Sequence, residues 1–304
     1  MIRSACLAAL VTLSASSAFA APAYSHLYAF GDSYSDNGAG EAFTATLAGQ
    51  KVTDAQLLPG PLYWKGRWSN GPTAVEQLAK ALQVPLTDYA IGGAKSGDGN
   101  YYAWMMPHRN TGVFGQVDAY LQAAKAHKAD PAALYFVFIS ANDFFEWADF
   151  SHPESIDALS QTSLSNIEKA TSTLIDAGAK HIMVVGTTDL SHVPAVQQGN
   201  QVKNAQQYQQ KLEQQLPTDL AQLGTSKNVR ITYFDHLAFS EKLRAAPASH
   251  GLKDLDTPCQ ATYPDVKPRC AEPAAHYYWD EWHPTTTIHG LAAEGMVEAL
   301  KGDR

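Results

Sequence analysis

Cationic residues are scarce in this chain: 22 lysines and arginines face 30 aspartates and glutamates, a formal charge of −8. That balance argues against a nucleic-acid partner and against stable docking on an anionic membrane by simple attraction. Cysteine is scarcer still. There are three, Cys6, Cys259 and Cys270, and none has a metal-ligand spacing, which argues against zinc-ribbon and disulfide-dense scaffolds. Long apolar runs are missing as well; nothing reaches the roughly 20 residues that a membrane span requires. With no internal repeat, low-complexity linker or clear domain boundary, residues 21–304 read as one domain with a sizeable core.

The start of the chain has its own pattern. Arg3 precedes an apolar stretch at residues 7–13, and Ala18-Phe19-Ala20 supplies the small-x-small pattern that signal peptidase recognises. Residues 1–20 are therefore expected to be a signal peptide, and the protein to be exported to the periplasm or beyond, with no transmembrane segment. Cleavage removes Cys6 and leaves Cys259 and Cys270. In an oxidising compartment an even pair reads as one disulfide, with two free thiols as the alternative. The loop between them carries Lys267 and Arg269 and is a candidate cover for a nearby site.

Apolar strand-like runs alternate with helix-like ones. Strands are expected at residues 27–30, 86–90, 134–139, 181–185 and 229–234. Helices are expected at 72–82 with Pro72 in the first turn, at 115–128, at 155–177 ended by Gly178, at 198–223 as an exposed helix or a pair broken near Pro217, and at 285–300. Residues 39–69 and 246–278 read as long loops. Five β-α units with fully apolar strands predict an α/β fold with a mostly parallel five-stranded sheet covered by helices on both faces. Ligands of such sheets sit beyond the carboxyl ends of the strands.

Four polar elements fall at those ends. Ser33 follows the first strand in Phe30-Gly31-Asp32-Ser33-Tyr34-Ser35-Asp36, where Gly31 permits a sharp turn and the serine hydroxyl is exposed. Taken alone, such a serine also fits a helix cap. The Gly-x-Ser-x-Gly elbow is absent here, so the α/β-hydrolase class is not supported. Asp280 and His283 lie in Tyr278-Trp279-Asp280-Glu281-Trp282-His283-Pro284. Serine needs an imidazole to take its proton, and the imidazole needs a carboxylate to hold its tautomer; a spacing of three supplies both from one loop. Glu281 is a rival carboxylate, and His276, Asp280 and His283 form an alternative metal-ligand set. Gly92-Gly93 and Asn142, in the segments 88–94 and 138–143, can offer N–H groups to a developing oxyanion.

These blocks resemble the GDSL family of the SGNH hydrolases. Gly31-Asp32-Ser33 matches its first block, Gly93 its second, Asn142-Asp143 its third and Asp280-x-x-His283 its last; Gly66-Arg67-Trp68-Ser69-Asn70-Gly71 is similar to a segment of longer members. Two positions depart from the pattern: Ala141 stands where many members carry glycine, and Asp88 where asparagine is frequent. The resemblance implies a three-layer α/β/α sandwich, flavodoxin-like, and a serine carboxylic ester hydrolase that uses no metal or cofactor. It implies Ser33 as nucleophile, His283 as base and then acid, and Asp280 as its orienting carboxylate. The oxyanion hole would come from Ser33, Gly93 and Asn142.

Within the family, the chain looks most like secreted bacterial esterases of the lysophospholipase and choline-esterase type. Aromatic residues crowd the motifs: Trp64, Trp68, Phe144, Phe145, Trp147, Trp279 and Trp282. Aromatic faces hold quaternary ammonium groups, so Trp68, Phe144 and Trp282 are candidate substrate contacts; the alternative is that these rings pack in the core or flank an acyl pocket. The expected partner is a small-molecule or lipid ester, with a choline ester and a lysophospholipid both open. Transfer of the acyl group to an alcohol is a further outcome. A monomer is the default assembly.

Overall fold

The computed structural model describes residues 23–302; the signal-peptide reading of residues 1–20 falls outside them. The chain alternates from β1 (Leu27–Gly31) through α1 (Ala39–Gly49) and α2 (Ala74–Leu82) to β2 (Leu86–Asp88). It continues with α3 (Val113–Ala123), β3 (Leu134–Phe138), α4 (Ala141–Asp149), α5 (Ile156–Asp176) and β4 (His181–Val185). The last third holds α6 (Pro194–Gln198), α7 (Val202–Lys227), β5 (Arg230–Phe234), α8 (His236–Ala245) and α9 (Thr286–Gly302). Every strand pair is parallel, in the order β2-β1-β3-β4-β5.

Strand alternation sends the core to both faces of the sheet. Tyr135, Val137, Ile182 and Val184 join side chains of α3, α5 and α7 on one face. Leu134, Phe136, Met183 and Val185 join those of α2 and α9 on the other. Three layers result. The order of strands reverses between β1 and β3, since the chain steps from β1 to β2 on one side and then returns to β3 on the other. Such a reversal opens a crevice beyond the carboxyl ends of the two strands, and Ser33 follows β1 while Asn142 follows β3.

Local signals explain the element boundaries. Helix α2 starts two residues after the expected point. Thr73 and Glu76 form a reciprocal capping box, so Pro72 precedes the helix instead of opening it. Helix α5 begins where the Ser155 hydroxyl accepts from Ala158 N–H at 3.2 Å and ends before Gly178, whose φ of 119° suits glycine. The second strand stops at Asp88, and α3 stops at Ala123 before a short irregular turn, so both are shorter than expected.

One expectation is corrected and one alternative is decided. Residues 39–69 are not all loop, since α1 occupies the first third; its glycines, alanines and threonines bury only Gly40, Thr44 and Leu47. Pro217 does not break a helix: α7 runs through it, with Leu212, Leu216 and Leu220 buried on one face packed along α5. The segment after β3 continues into α4, a helix that was not expected. Helix α8, capped by the Asp235 carboxylate on Ala238 N–H, was also not expected.

Candidate active site

The chain leaves β1 through a glycine that no other residue could replace. A Cβ on Gly31 would lie 2.5 Å from the carbonyl oxygen of Phe138 on β3. The buried Gln116 of α3 grips both backbone groups of Gly31, accepting from its N–H and donating to its C=O at 2.8 Å each. The chain then turns tightly, with Ser35 and Asp36 N–H donating to Asp32 C=O at 3.0 and 2.9 Å. Ser33 stands on that turn, 8% exposed.

Asp280 folds its own loop. Its Oδ1 accepts from the backbone N–H of Trp282 at 2.8 Å and of His283 at 2.6 Å, the short-range turn that aspartate side chains favour. That turn brings the His283 ring back onto the same carboxylate, Nδ1 lying 2.9 Å from Oδ1 and 2.8 Å from Oδ2. With the proton on Nδ1, Nε2 is an acceptor, and it lies 2.8 Å from Ser33 Oγ. Asp280 is fully buried and His283 is 6% exposed. The spacing of three therefore sets the geometry, and Glu281 turns the other way. Its buried carboxylate accepts from Thr262 N–H at 2.9 Å, from the Thr262 hydroxyl at 2.7 Å and from Tyr263 N–H at 3.3 Å.

The other two blocks meet the serine across the crevice. Gly93 has φ 81°, and a Cβ there would lie 2.4 Å from Asn100 Oδ1. The Asn142 amide, at the start of α4, donates one hydrogen to Ala94 C=O at 3.1 Å, leaving the other available. The Ser33 and Gly93 N–H groups enter no turn, strand or cap bond among the described residues. Behind Asn142, the Asp143 carboxylate accepts from the Ser96 hydroxyl and N–H at 2.8 and 3.0 Å, which fixes α4 to the Gly93 loop. Asp36 performs the same service from just after the turn that follows β1, accepting from Gly38 N–H at 2.9 Å and from Gly92 N–H at 2.8 Å. Burial pushes the Asp143 carboxyl up to about 6 against the pull of its Ser96 hydrogen bonds. Burial pushes Asp32 up to about 7, opposed by the Tyr34 N–H and by the neighbouring His283.

The Gly66–Gly71 segment anchors the site from outside. The Trp68 ring lies 5.1 Å from that of His283, and a Cβ on Gly92 would strike it at 2.2 Å. Asn70 accepts from Thr286 N–H at 2.8 Å, capping α9, while the Ser69 hydroxyl donates to Pro284 C=O at 2.8 Å. Tyr63, from the same stretch, donates its hydroxyl to Asp280 Oδ2 at 2.5 Å. Burial, and then the charge of Asp280, hold this phenol far above the ordinary tyrosine value, so it remains a donor.

Ser33, Gly93, Asn142 and His283 open into one cleft of about 740 Å³. Trp68, Phe144 and Trp282, the expected substrate contacts, all line it, as does Phe145. Trp64, Trp147 and Trp279 do not: Trp64 lies against the cations of Lys65 and Arg67, Trp147 donates to Glu154 C=O at 2.8 Å, and Trp279 is buried. Asp149 is the one acid of the lining, and lysine and arginine contribute nothing to it among the described residues. The alternative ligand set is not assembled, because His276 lies by Thr257 C=O at 3.2 Å and Asp254 at 3.9 Å. Cys259 and Cys270 are joined as a disulfide; the loop they close supplies Thr262 and Tyr263 to the cleft. Gln116 and Tyr63 escaped sequence reasoning, as did the anchoring roles of Asp36 and Glu281, for each acts on a partner distant in the chain.

A serine, a histidine and a buried aspartate in this contact order, beyond a parallel sheet, are the arrangement of serine hydrolases. The chain belongs to the GDSL-like lipase/acylhydrolase family, whose model matches residues 27–296. It is 31% identical to the thermolabile hemolysin of Vibrio parahaemolyticus over 89% of this chain, and it spans 62% of that relative's length. It is 26% identical to the phosphatidylcholine-sterol acyltransferase of Aeromonas hydrophila, covering 95% of this chain and 94% of the relative. An acetylesterase of Thermothelomyces thermophilus is 25% identical over 91% and 88% of the two chains. Among solved structures, a putative GDSL-like lipase from Parabacteroides merdae superposes with a TM-score of 0.49 at 14% identity, covering 91% of this chain and 96% of the other. No helix of the described residues is long and apolar enough to cross a membrane.

Proposed function

We propose that this chain is an exported serine carboxylic ester hydrolase whose preferred substrates carry a choline-type head group. The observation that carries the reading is the contact chain Asp280–His283–Ser33, with His283 Nε2 2.8 Å from Ser33 Oγ. His283 takes the serine proton as Ser33 Oγ attacks the ester carbonyl, and Asp280 stabilises the imidazolium that forms. The tetrahedral oxyanion receives hydrogen bonds from Ser33 N–H, Gly93 N–H and the free Asn142 amide hydrogen. His283 then protonates the departing alcohol. Water, deprotonated by the same imidazole, releases the acid from the acyl-enzyme and restores Ser33.

The lining of the cleft supports the head-group assignment. Aromatic faces attract quaternary ammonium, by up to roughly 2 kcal/mol when desolvated, and the Asp149 carboxylate adds the one fixed charge. Export is supported by the Cys259–Cys270 disulfide. A lysophospholipid presents the same head group on a long acyl chain, and a cleft of about 740 Å³ favours keeping this second reading, as do relatives named a hemolysin and a phosphatidylcholine-sterol acyltransferase. Turnover of acetylcholine, butyrylcholine, lysophosphatidylcholine and neutral p-nitrophenyl esters tests the assignment. Acetylcholine or lysophosphatidylcholine should exceed a neutral ester of matched acyl length in kcat/KM. Equal or lower turnover of both choline compounds removes the head-group claim and leaves a general esterase.

A further inference from the structure

Five large apolar side chains stand exposed among the described residues: Leu57, Leu62, Phe150, Tyr263 and Val266. Single exposed apolar residues are ordinary on any protein; their distribution here is not. All five belong to three segments, remote in sequence, that meet at the mouth of the cleft. Leu62 and Tyr263 line it directly. Leu57 adjoins Leu58, which lines it too, and the Phe150 ring lies 5.6 Å from that of the lining residue Tyr101. Val266 sits in the disulfide-closed loop beside Tyr263.

These side chains are held outward by polar anchors. Glu281 clasps Thr262 and Tyr263 through their N–H groups, the Cys259–Cys270 bond closes the loop, and Tyr101 donates to the Asp149 carboxylate just before Phe150 at 2.8 Å. The rim segments are also electrically balanced. Lys65, Lys267 and Arg269 offset Glu146, Asp149 and Asp265, on a chain whose formal charge is −8. An acidic body repels an anionic bilayer, whereas a neutral apolar rim meets a zwitterionic one without electrostatic cost. Continuity with the cleft selects among occupants. A second copy or another protein seated on the rim would close the route to Ser33, while a lipid surface would deliver an ester into it.

From this arrangement we propose that the rim of the cleft docks on zwitterionic lipid surfaces, so that the enzyme draws ester substrates from micelles or bilayers. The proposal rests on the ester-hydrolase reading given above. It predicts that the protein co-floats with vesicles of ether-linked phosphatidylcholine, which it cannot hydrolyse, and binds phosphatidylglycerol vesicles more weakly. The variant Leu57→Ser/Phe150→Ser/Val266→Ser, which leaves the cleft lining untouched, should lose at least tenfold in vesicle affinity. Its melting temperature and its turnover of a monomeric p-nitrophenyl ester should stay near those of the parent. The parent's turnover of a long-chain choline lipid should rise several-fold above the critical micelle concentration, and the variant's should not.

Failure of the parent to float, equal flotation of the variant, or preference for the anionic vesicles overturns the docking surface. So does a concentration-dependent dimer, seen by sedimentation, that the triple variant abolishes. Loss of all ester turnover by the parent with flotation intact would instead sink the hydrolase reading and leave the surface standing.

Discussion

The Tyr63 hydroxyl donates to Asp280 Oδ2 at 2.5 Å, across 217 residues of sequence. Asp280 is fully buried and accepts from Tyr63, from two backbone N–H groups and from the His283 ring. A carboxylate so placed depends on its donors, since a buried charge that loses one retains the cost of its desolvation. The donor also ties a rim segment, which holds Leu58 and Leu62, to the carboxylate that orients His283. On the proposed mechanism, Tyr63 is a positioning residue for the reaction.

Replacing Tyr63 by Phe keeps the ring and removes the bond. A hydrogen bond to a charged group is worth roughly 1.5–3 kcal/mol, so kcat for a short ester should fall about tenfold or more, with KM changed less than threefold. A rise in KM at constant kcat would mark Tyr63 as a wall of the cleft and nothing more.

Asn142→Ala tests the oxyanion donors separately from the serine. Losing one such donor costs about 10²–10³ in kcat, and the variant should keep its fold, because the Asp143–Ser96 bonds hold α4 in place. Thermal melting checks the second point. A drop in kcat below fivefold would remove Asn142 from the hole.

Asp32 gives the protein a pH-dependent weakness. Burial raises its folded pKa from 3.8 to about 7, so between these values the unfolded chain releases a proton that the folded chain retains. Its contribution to stability is complete below pH 4, declines as pH rises through 7 and is constant above. Asp32→Asn keeps the acceptor for Tyr34 N–H, so the melting temperature of the variant minus that of the parent should grow from pH 4.5 to 7.5 and then level off. A difference that is flat across this range, or that shrinks as pH rises, contradicts the account. Asp143, pushed up to about 6, and Asp36 repel the Asp32 charge, so Asp32→Asn also eases their ionisation and adds to the difference in the same direction.

The sequence carried the sheet because its three inner strands, β1, β3 and β4, are short apolar runs that are largely buried, and a parallel strand buried on both faces has no polar face to confuse the reading. The contact between Asp280 and His283 was legible for a local reason, since the turn between them is self-contained within four residues; their meeting with Ser33, 250 residues away, was legible only through the resemblance of the blocks. Elements whose stability lies in tertiary contacts stayed hidden. Helix α7 survives Pro217 because Leu216 and Leu220 are buried on either side of it. In α4, the polar Asn142 and Asp143 are themselves buried, which erases the amphipathic pattern of its first turn. Tyr63, in the run Pro59-Gly60-Pro61-Leu62-Tyr63-Trp64, had no local feature that pointed to a carboxylate 217 residues on.

The central claim is that Ser33 performs the attack. Hydrolysis of a short neutral p-nitrophenyl ester by Ser33→Ala, with the melting temperature matched to the parent, tests it most directly. Removing the nucleophile of a serine hydrolase costs up to about 10⁶ in kcat, so a loss of at least about 10³ is expected. Activity within tenfold of the parent would contradict the account and require another nucleophile in the cleft.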